Sequence, residues 1–182
     1  VTGTGNLKFT ETTTSGGTTF YTQTVSVPEP QVTLVTTLGS VVMELNPTAA
    51  PITVKNFLAY VNQSPSFYSG TLFHRVISGF MAQGGGFTTG MTQKSGLSPA
   101  ITLESQNGLL NLRGAVAMAR TNAADSATSQ FFVNLVDNAV FGKVVSGMDV
   151  IDLMATKPTA TKNGYSDVPV TDITILSATQ TQ

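Results

Sequence analysis

The residues able to do chemistry lie in two runs. The first is Phe73-His74-Arg75-Val76-Ile77-Ser78-Gly79-Phe80-Met81-Ala82-Gln83-Gly84-Gly85-Gly86-Phe87, where one cation, one neutral amide and large apolar side chains surround a turn. The second leads from Ala117-Met118-Ala119-Arg120 through Thr128-Ser129 to Gln130-Phe131-Phe132-Val133-Asn134, adding another amide and a Phe pair. An arginine in an apolar strand region is costly to bury unless paired or hydrogen-bonded, so Arg75 alone reads as a structural residue held by backbone carbonyls. Gln83 shifts that reading. Strand segments meeting at Ser78-Gly79 would fold Gln83 back toward Arg75, where its side-chain oxygen could accept a guanidinium N–H. An amide orients the cation without the neutralisation a carboxylate would bring. Phe80, Met81 and Phe132 suit either a core or the lining of an apolar binding slot.

Other chemistries lack their residues. His74 is the only histidine, and no carboxylate or thiol cluster accompanies it as a metal site would require. A Ser-His-Asp triad would have to use His74, yet no nucleophile-elbow signature is present. A packed, hydrogen-bonded core histidine is the favoured reading. Gly84-Gly85-Gly86 lacks the Gly-Lys-Ser/Thr ending of a phosphate loop and follows a strand, so it reads as a tight turn or bulge. Glu44, Glu104, Asp125, Asp137 and Asp149 are scattered, and Asp149 and Asp152 read as a solvated helix face. No metal or cofactor is expected.

Composition narrows the partners. The 182 residues suit one domain with room for an appendage. Charged residues make up 10%, against about 25% in typical soluble domains, so Thr, Ser, Asn and Gln must cover much of the surface. Net charge is −1 and the basic residues do not cluster, which argues against nucleic acid and anionic membranes as partners. The absence of cysteine excludes disulfides and thiolate metal sites. No apolar run approaches the roughly 18 residues of a membrane helix. A Cys-free, polar but uncharged chain beginning at Val1 fits export to a periplasm or beyond after loss of a leader, with the cytoplasm as the alternative.

The elements that must position the two runs follow from pattern. Residues 1–30 form a Thr- and Gly-rich arm ending in Val27-Pro28-Glu29-Pro30. Two β-prone stretches around Ser15-Gly16-Gly17 make it either a hairpin or a disordered segment. Val32–Thr36 and Val41–Leu45 read as a hairpin through Leu38-Gly39-Ser40. Pro51 opens a helix on which Val54, Phe57, Leu58 and Val61 share a face, ending near Asn62–Pro65. Strands are predicted at Thr71–Ile77, Phe80–Gln83, Ile101–Leu103, Ala115–Met118, Gln130–Asn134 and Phe141–Val145. A short helix over Met148–Met154 and a final strand over Val168–Ser177 follow. Many short strands with two helices predict a mainly β fold, a closed barrel with helical caps, spanning 31–178, with residues 179–182 frayed.

From about Val32 to Val170 the chain resembles the cyclophilins, especially their bacterial branch. The resemblance rests on Ala50-Pro51 through Asn56-Phe57, Phe73 to Phe87, Asn111-Leu112-Arg113-Gly114, Ala117 to Thr121, Ser126 to Asn134, and Val140 to Asp149, in the family's order. It implies an eight-stranded antiparallel barrel closed by two helices, and a peptidyl-prolyl cis–trans isomerase assisting protein folding without a cofactor. By motif, Arg75 is the catalytic arginine and Gln83 its orienting partner. Phe80, Met81 and Phe132 form the proline pocket, while Ala119, Arg120 and Gln130 lie along the substrate backbone. Many eukaryotic members carry Asn where this chain has Arg120, a change expected to adjust preference. Expected partners are proline-containing peptides, unfolded or partly folded proteins, and cyclosporin-type cyclic peptides, met by a monomer. A proline-peptide binding module with little catalysis is the alternative.

That alternative is motivated by one departure. Cyclophilins carry a longer loop before the Val140-Phe141-Gly142-Lys143 strand, which supplies an aromatic residue, a Leu and often a His to one wall of the groove. Here Asn138-Ala139 runs almost directly into the strand. So short a connection is expected to strain the barrel, which predicts further residues between Asn138 and Val140; an intact mass of 19.0 kDa would count against them.

Overall fold

Alternation along Gln31–Leu45 sets the frame on which the rest is hung. A computed structural model describes residues 5–7, 14–15, 18–19, 25–105, 107–110, 112–135 and 141–182. The first four strands, β1 (Gly5–Leu7), β2 (Thr14–Ser15), β3 (Thr18–Thr19) and β4 (Val25–Val27), pair antiparallel as β1 with β4 and β2 with β3. Gly16-Gly17, the expected turn, lies outside the described residues. Strands β5 (Gln31–Thr36) and β6 (Gly39–Leu45) form a hairpin whose Val32, Leu34, Val41, Met43 and Leu45 point inward and are fully buried. Period-two burial of this kind is what a sheet with one solvated face requires.

Helix α1 (Pro51–Val61) follows, with Pro51 in its first turn and Val54, Phe57, Leu58 and Val61 buried as the spacing predicted. Its cap residue Ala50 has no side-chain acceptor. The orphan N–H groups turn instead to Glu104, whose carboxylate accepts from Ile52 N at 3.1 Å, Thr53 N at 2.8 Å and the Thr53 hydroxyl at 2.7 Å. Glu104→Ala is expected to cost about 1 kcal/mol of stability, a typical capping loss. A urea titration checks this, and an unchanged midpoint would show the cap to be dispensable.

Strands β7 (Phe73–Ile77), β8 (Met81–Gly84), β9 (Phe87–Thr88), β10 (Thr92–Gln93), β11 (Ala115–Met118), β12 (Phe131–Asn134) and β13 (Gly142–Ser146) come next. Helix α2 (Met148–Ala155), β14 (Thr159–Lys162), β15 (Tyr165–Pro169) and β16 (Ile175–Gln180) complete the chain. Eight strands form one curled antiparallel sheet in the order β16-β5-β6-β13-β11-β12-β8-β7. Its two edges approach each other: Gly70 N donates to Ile175 O, Ile175 N to Thr71 O and Phe73 N to Ile173 O, each at 2.8 Å. Inside the curl, Phe57 meets Tyr68, Phe131 and Phe141 at ring separations of 5.1, 5.5 and 5.4 Å. These edge and tilted contacts are the favourable geometries for aromatic pairs.

Several expectations need correction. Val168–Ser177 is not one strand. Val168 and Pro169 close β15, which pairs with β14 across Asn163-Gly164, both at positive φ (49° and 83°). Asn-Gly is a strong hairpin signal because both turn positions tolerate that backbone. Residues 179–182 do not fray: Thr179 and Gln180 pair with Thr33 and Val32, and Thr181 N donates to Gln31 O at 2.8 Å. Ile101–Leu103 makes only a bridge from Ile101 to Ala127. Asp152 does stand on a solvated face, 46% exposed, where both its oxygens accept from Arg113 at 2.7 and 2.6 Å.

The sequence is continuous through Asn138-Ala139-Val140, so no further residues separate β12 from β13. Both strands pair with β11, one on each side. The connection therefore crosses one strand, about 10 Å at ordinary sheet spacing. Residues 135–141, of which 136–140 lie outside the description, can span over about 20 Å when extended. The strain was expected of residues 136–140, which lie outside the described residues.

Candidate active site

Register places the functional side chains in a row. Arg75 on β7 faces Gln83 on β8, Gln83 faces Phe132 on β12, and Phe132 faces Ala117 on β11. Met81, two residues before Gln83, lies on the same face of β8. Phe131 alternates to the other face and is fully buried in the core. A bulge supplies the one irregularity: Phe73 pairs with Gly84 and Arg75 with Gln83, leaving His74 as the extra residue. Without it Phe73 and Arg75 would share a face. With it Phe73 fills the core, 1% exposed, while Arg75 turns outward, the re-aiming that bulges commonly perform beside functional sites.

The row floors a groove of about 490 Å³. Of the residues singled out by sequence, Arg75, Phe80, Met81, Gln83, Ala119, Arg120 and Phe132 line it. Gln130 does not; it stands behind Gln83, accepting from the Gln83 amide at 2.9 Å. It occupies space that a side chain on Gly86 would fill, since a Cβ there would collide with Gln130 Cγ. The expected bond from Arg75 to the Gln83 oxygen is absent among the described residues. The charged neighbour of Arg75 is instead Asp167, at 3.9 Å from Nε, with the two side chains 42% and 40% exposed.

His74 is buried behind the row, its ring 4.7 Å from that of Phe87. Burial is the largest influence on it and lowers its pKa to about 4; contacts with the Leu72 backbone and the Gln130 side chain oppose the shift, and Arg75 adds to it. Nδ1 finds no hydrogen-bond partner. The expected core histidine is thus packed and neutral, but only partly satisfied.

The second wall is Ile101–Ser105 with Thr53, Thr121, Asn122 and Ala127, none of which the sequence singled out as site residues. Three contacts pin it: Ile101 N to Ala127 O at 3.0 Å, Leu103 N to Asp125 Oδ1 at 2.8 Å, and Glu104 to the start of α1. The one available signal was the helix itself, because Ala50-Pro51 offers no cap and some remote acceptor had to supply it. Beneath the groove, Asn56 Nδ2 donates to Thr128 O at 2.7 Å, the Tyr68 hydroxyl to Ser129 O at 2.9 Å and the Ser129 hydroxyl to Gly85 O at 2.9 Å. Burial pushes the Tyr68 phenol well above its ordinary pKa, so it remains a donor. Ala119 N is taken by Gln130 O at 2.8 Å, while the backbone N–H and C=O of Arg120 pair with no other backbone group among the described residues.

The groove sets an apolar slot beside a guanidinium and the unpaired backbone of Arg120, a shape suited to an extended chain, and no cluster of metal-ligating residues occurs among the described residues. The curled eight-stranded sheet and outer groove define the cyclophilin class. The family model for cyclophilin-type peptidyl-prolyl cis–trans isomerases matches residues 31–180. The chain is 48% identical over 159 residues to peptidyl-prolyl cis–trans isomerase A of Dickeya dadantii, covering 81% of this chain and 82% of that protein. It is 47% identical over 163 residues to isomerase B of Escherichia coli, covering 81% and 98%. A crystal structure of a Cryptosporidium parvum cyclophilin-type isomerase superposes with TM-score 0.73 at 26% identity, over 85% of this chain and 98% of that one. The chain belongs to the cyclophilin-type peptidyl-prolyl cis–trans isomerases. It is an isomerase that acts on proline-containing peptides and proteins, and no helix among its described residues is long and apolar enough to cross a membrane.

Proposed function

We propose that the groove performs this isomerisation with Arg75 as its catalytic residue and Phe80, Met81 and Phe132 holding the proline ring. The observation that carries the assignment is the cross-strand row Arg75–Gln83–Phe132, which sets a cation beside an apolar slot. Turning an amide costs about 18–20 kcal/mol because resonance between nitrogen and carbonyl is lost. As the bond twists, the prolyl nitrogen pyramidalises and its lone pair localises. A guanidinium N–H directed at that nitrogen favours the twisted form over either planar one, which is catalysis by differential binding. Gln83 and Gln130, bonded to each other, form a polar support beside the arginine, while Ala119 and Arg120 lie along the backbone preceding the proline. Amide shift changes on adding an Ala-Pro peptide should concentrate on these residues; changes confined to another face would reject the assignment.

Arg120 tunes preference. Arg75 and Arg113 each have a carboxylate partner, whereas Arg120 forms no ion pair among the described residues and donates only to Thr121 O, at 3.0 Å. Peptides with Glu before the proline are expected to show a several-fold higher kcat/KM than those with Lys, on the scale of one exposed charge pair. Arg120→Asn should erase the difference, and a preference surviving in that variant would place its origin elsewhere.

The natural substrates in this reading are exposed X-Pro bonds of unfolded or partly folded proteins, met by a monomer in a periplasm or outside the cell. Cyclosporin-type cyclic peptides are expected to compete for the groove. The edge-to-edge bonds at residues 70–73 and 173–175 support a closed barrel over 31–182, preceded by a Thr-rich arm over 1–30. Fractionation of the source cells tests the location.

A further inference from the structure

We propose that Asp167 is a positioning residue for Arg75, holding the guanidinium by its stem so that its forked end is presented to the groove. This rests on the reading of Arg75 as the catalytic group. The carboxylate lies against Nε at 3.9 Å, and Asp167 does not itself line the groove. It takes the place at Arg75 that Gln83 was expected to fill, the Gln83 amide being engaged with Gln130. The separation exceeds hydrogen-bond length, so the attraction acts through charge and depends on a fixed distance between β15 and β7.

Packing fixes that distance. Tyr165 stacks edge-on against Phe87 at 4.9 Å, and Phe87 lies 4.7 Å from the ring of His74, the neighbour of Arg75. Val168, 1% exposed, is buried with Phe87 and Met91. Asp167 therefore sits between two anchored residues, Tyr165 and Val168. Its backbone adopts φ 60°, a left-handed conformation that is unusual for residues other than glycine and is tolerated best by Asn and Asp. An exposed pair of this kind contributes little to stability, so its consequence falls on where the arginine points.

The test is Asp167→Asn, which keeps shape and backbone preference while removing the charge. With a neutral Ala-Pro peptide, kcat is expected to fall about two- to fivefold with KM unchanged, on the scale of an exposed ion pair. Added salt should lower wild-type kcat toward that of the variant and leave the variant unmoved, while the unfolding midpoint stays the same. Unchanged or raised kcat in Asp167→Asn, or equal salt responses, would overturn the proposal. Arg75→Ala measured alongside separates the two readings: if it is inactive while Asp167→Asn is fully active, only the positioning role fails.

Discussion

Arg75→Ala is expected to lower kcat/KM for an Ala-Pro peptide by about 10²–10³-fold, the usual loss when one preorganised donor to a transition state is removed. The expectation follows from placement. Arg75 is half-exposed on the groove, has Asp167 as its charged neighbour at 3.9 Å, and is carried on a strand whose bulge turns it outward. Its removal takes away no core contact, so the unfolding midpoint should move little. Arg75→Lys is a sharper companion, because a point-like ammonium lacks the planar fork and should recover only part of the activity. Circular dichroism and urea titration of both variants separate lost chemistry from lost fold. Substantial activity in a folded Arg75→Ala protein would refute the role.

The second large effect concerns acid. The folded-state pKa of His74 is lowered from 6.5 to about 4, chiefly by burial. Above about pH 6.5 both folded and unfolded chains hold a neutral ring, and the group costs nothing. As pH falls below that value the unfolded chain gains a proton that the folded chain refuses, so stability is lost progressively until the folded pKa is reached. The loss over this window is about 3 kcal/mol, a large share of the roughly 5–15 kcal/mol of a whole domain. His74→Gln removes the titration. Urea midpoints at pH 7 and pH 4.5 should fall much further for wild type than for the variant. Equal falls would show that other groups govern the acid transition.

The local elements were readable because short-range rules determine them. Pro51 with the Val54–Val61 stripe specified α1, and the alternation through Val32–Leu45 specified the first barrel hairpin. Asn163-Gly164 is an equally local signal, the hairpin turn that separates β15 from β14. The bulge at His74 had no local signal, since it is a mismatch of register between β7 and β8 that neither strand contains alone. The partners of Glu104 and Arg75 were hidden for the same reason. Thr53 and Asp167 lie far from them in sequence, and only tertiary packing brings α1 to the groove wall and the β14–β15 hairpin, through Tyr165 and Val168 on Phe87, to β7. The strain expected at Asn138–Val140 rested on an assumed loop length, and residues 136–140 lie outside the described ones.

The decisive measurement is cis–trans exchange of an Ala-Pro peptide by NMR exchange spectroscopy, with binding read from peptide line positions in the same samples, for the wild type and Arg75→Ala. The account predicts strong acceleration by the wild type, and little by the variant at concentrations where both bind the peptide. Binding by both proteins with equal exchange rates would contradict it, and would make the groove a proline-peptide binding site in which Arg75 has no catalytic part.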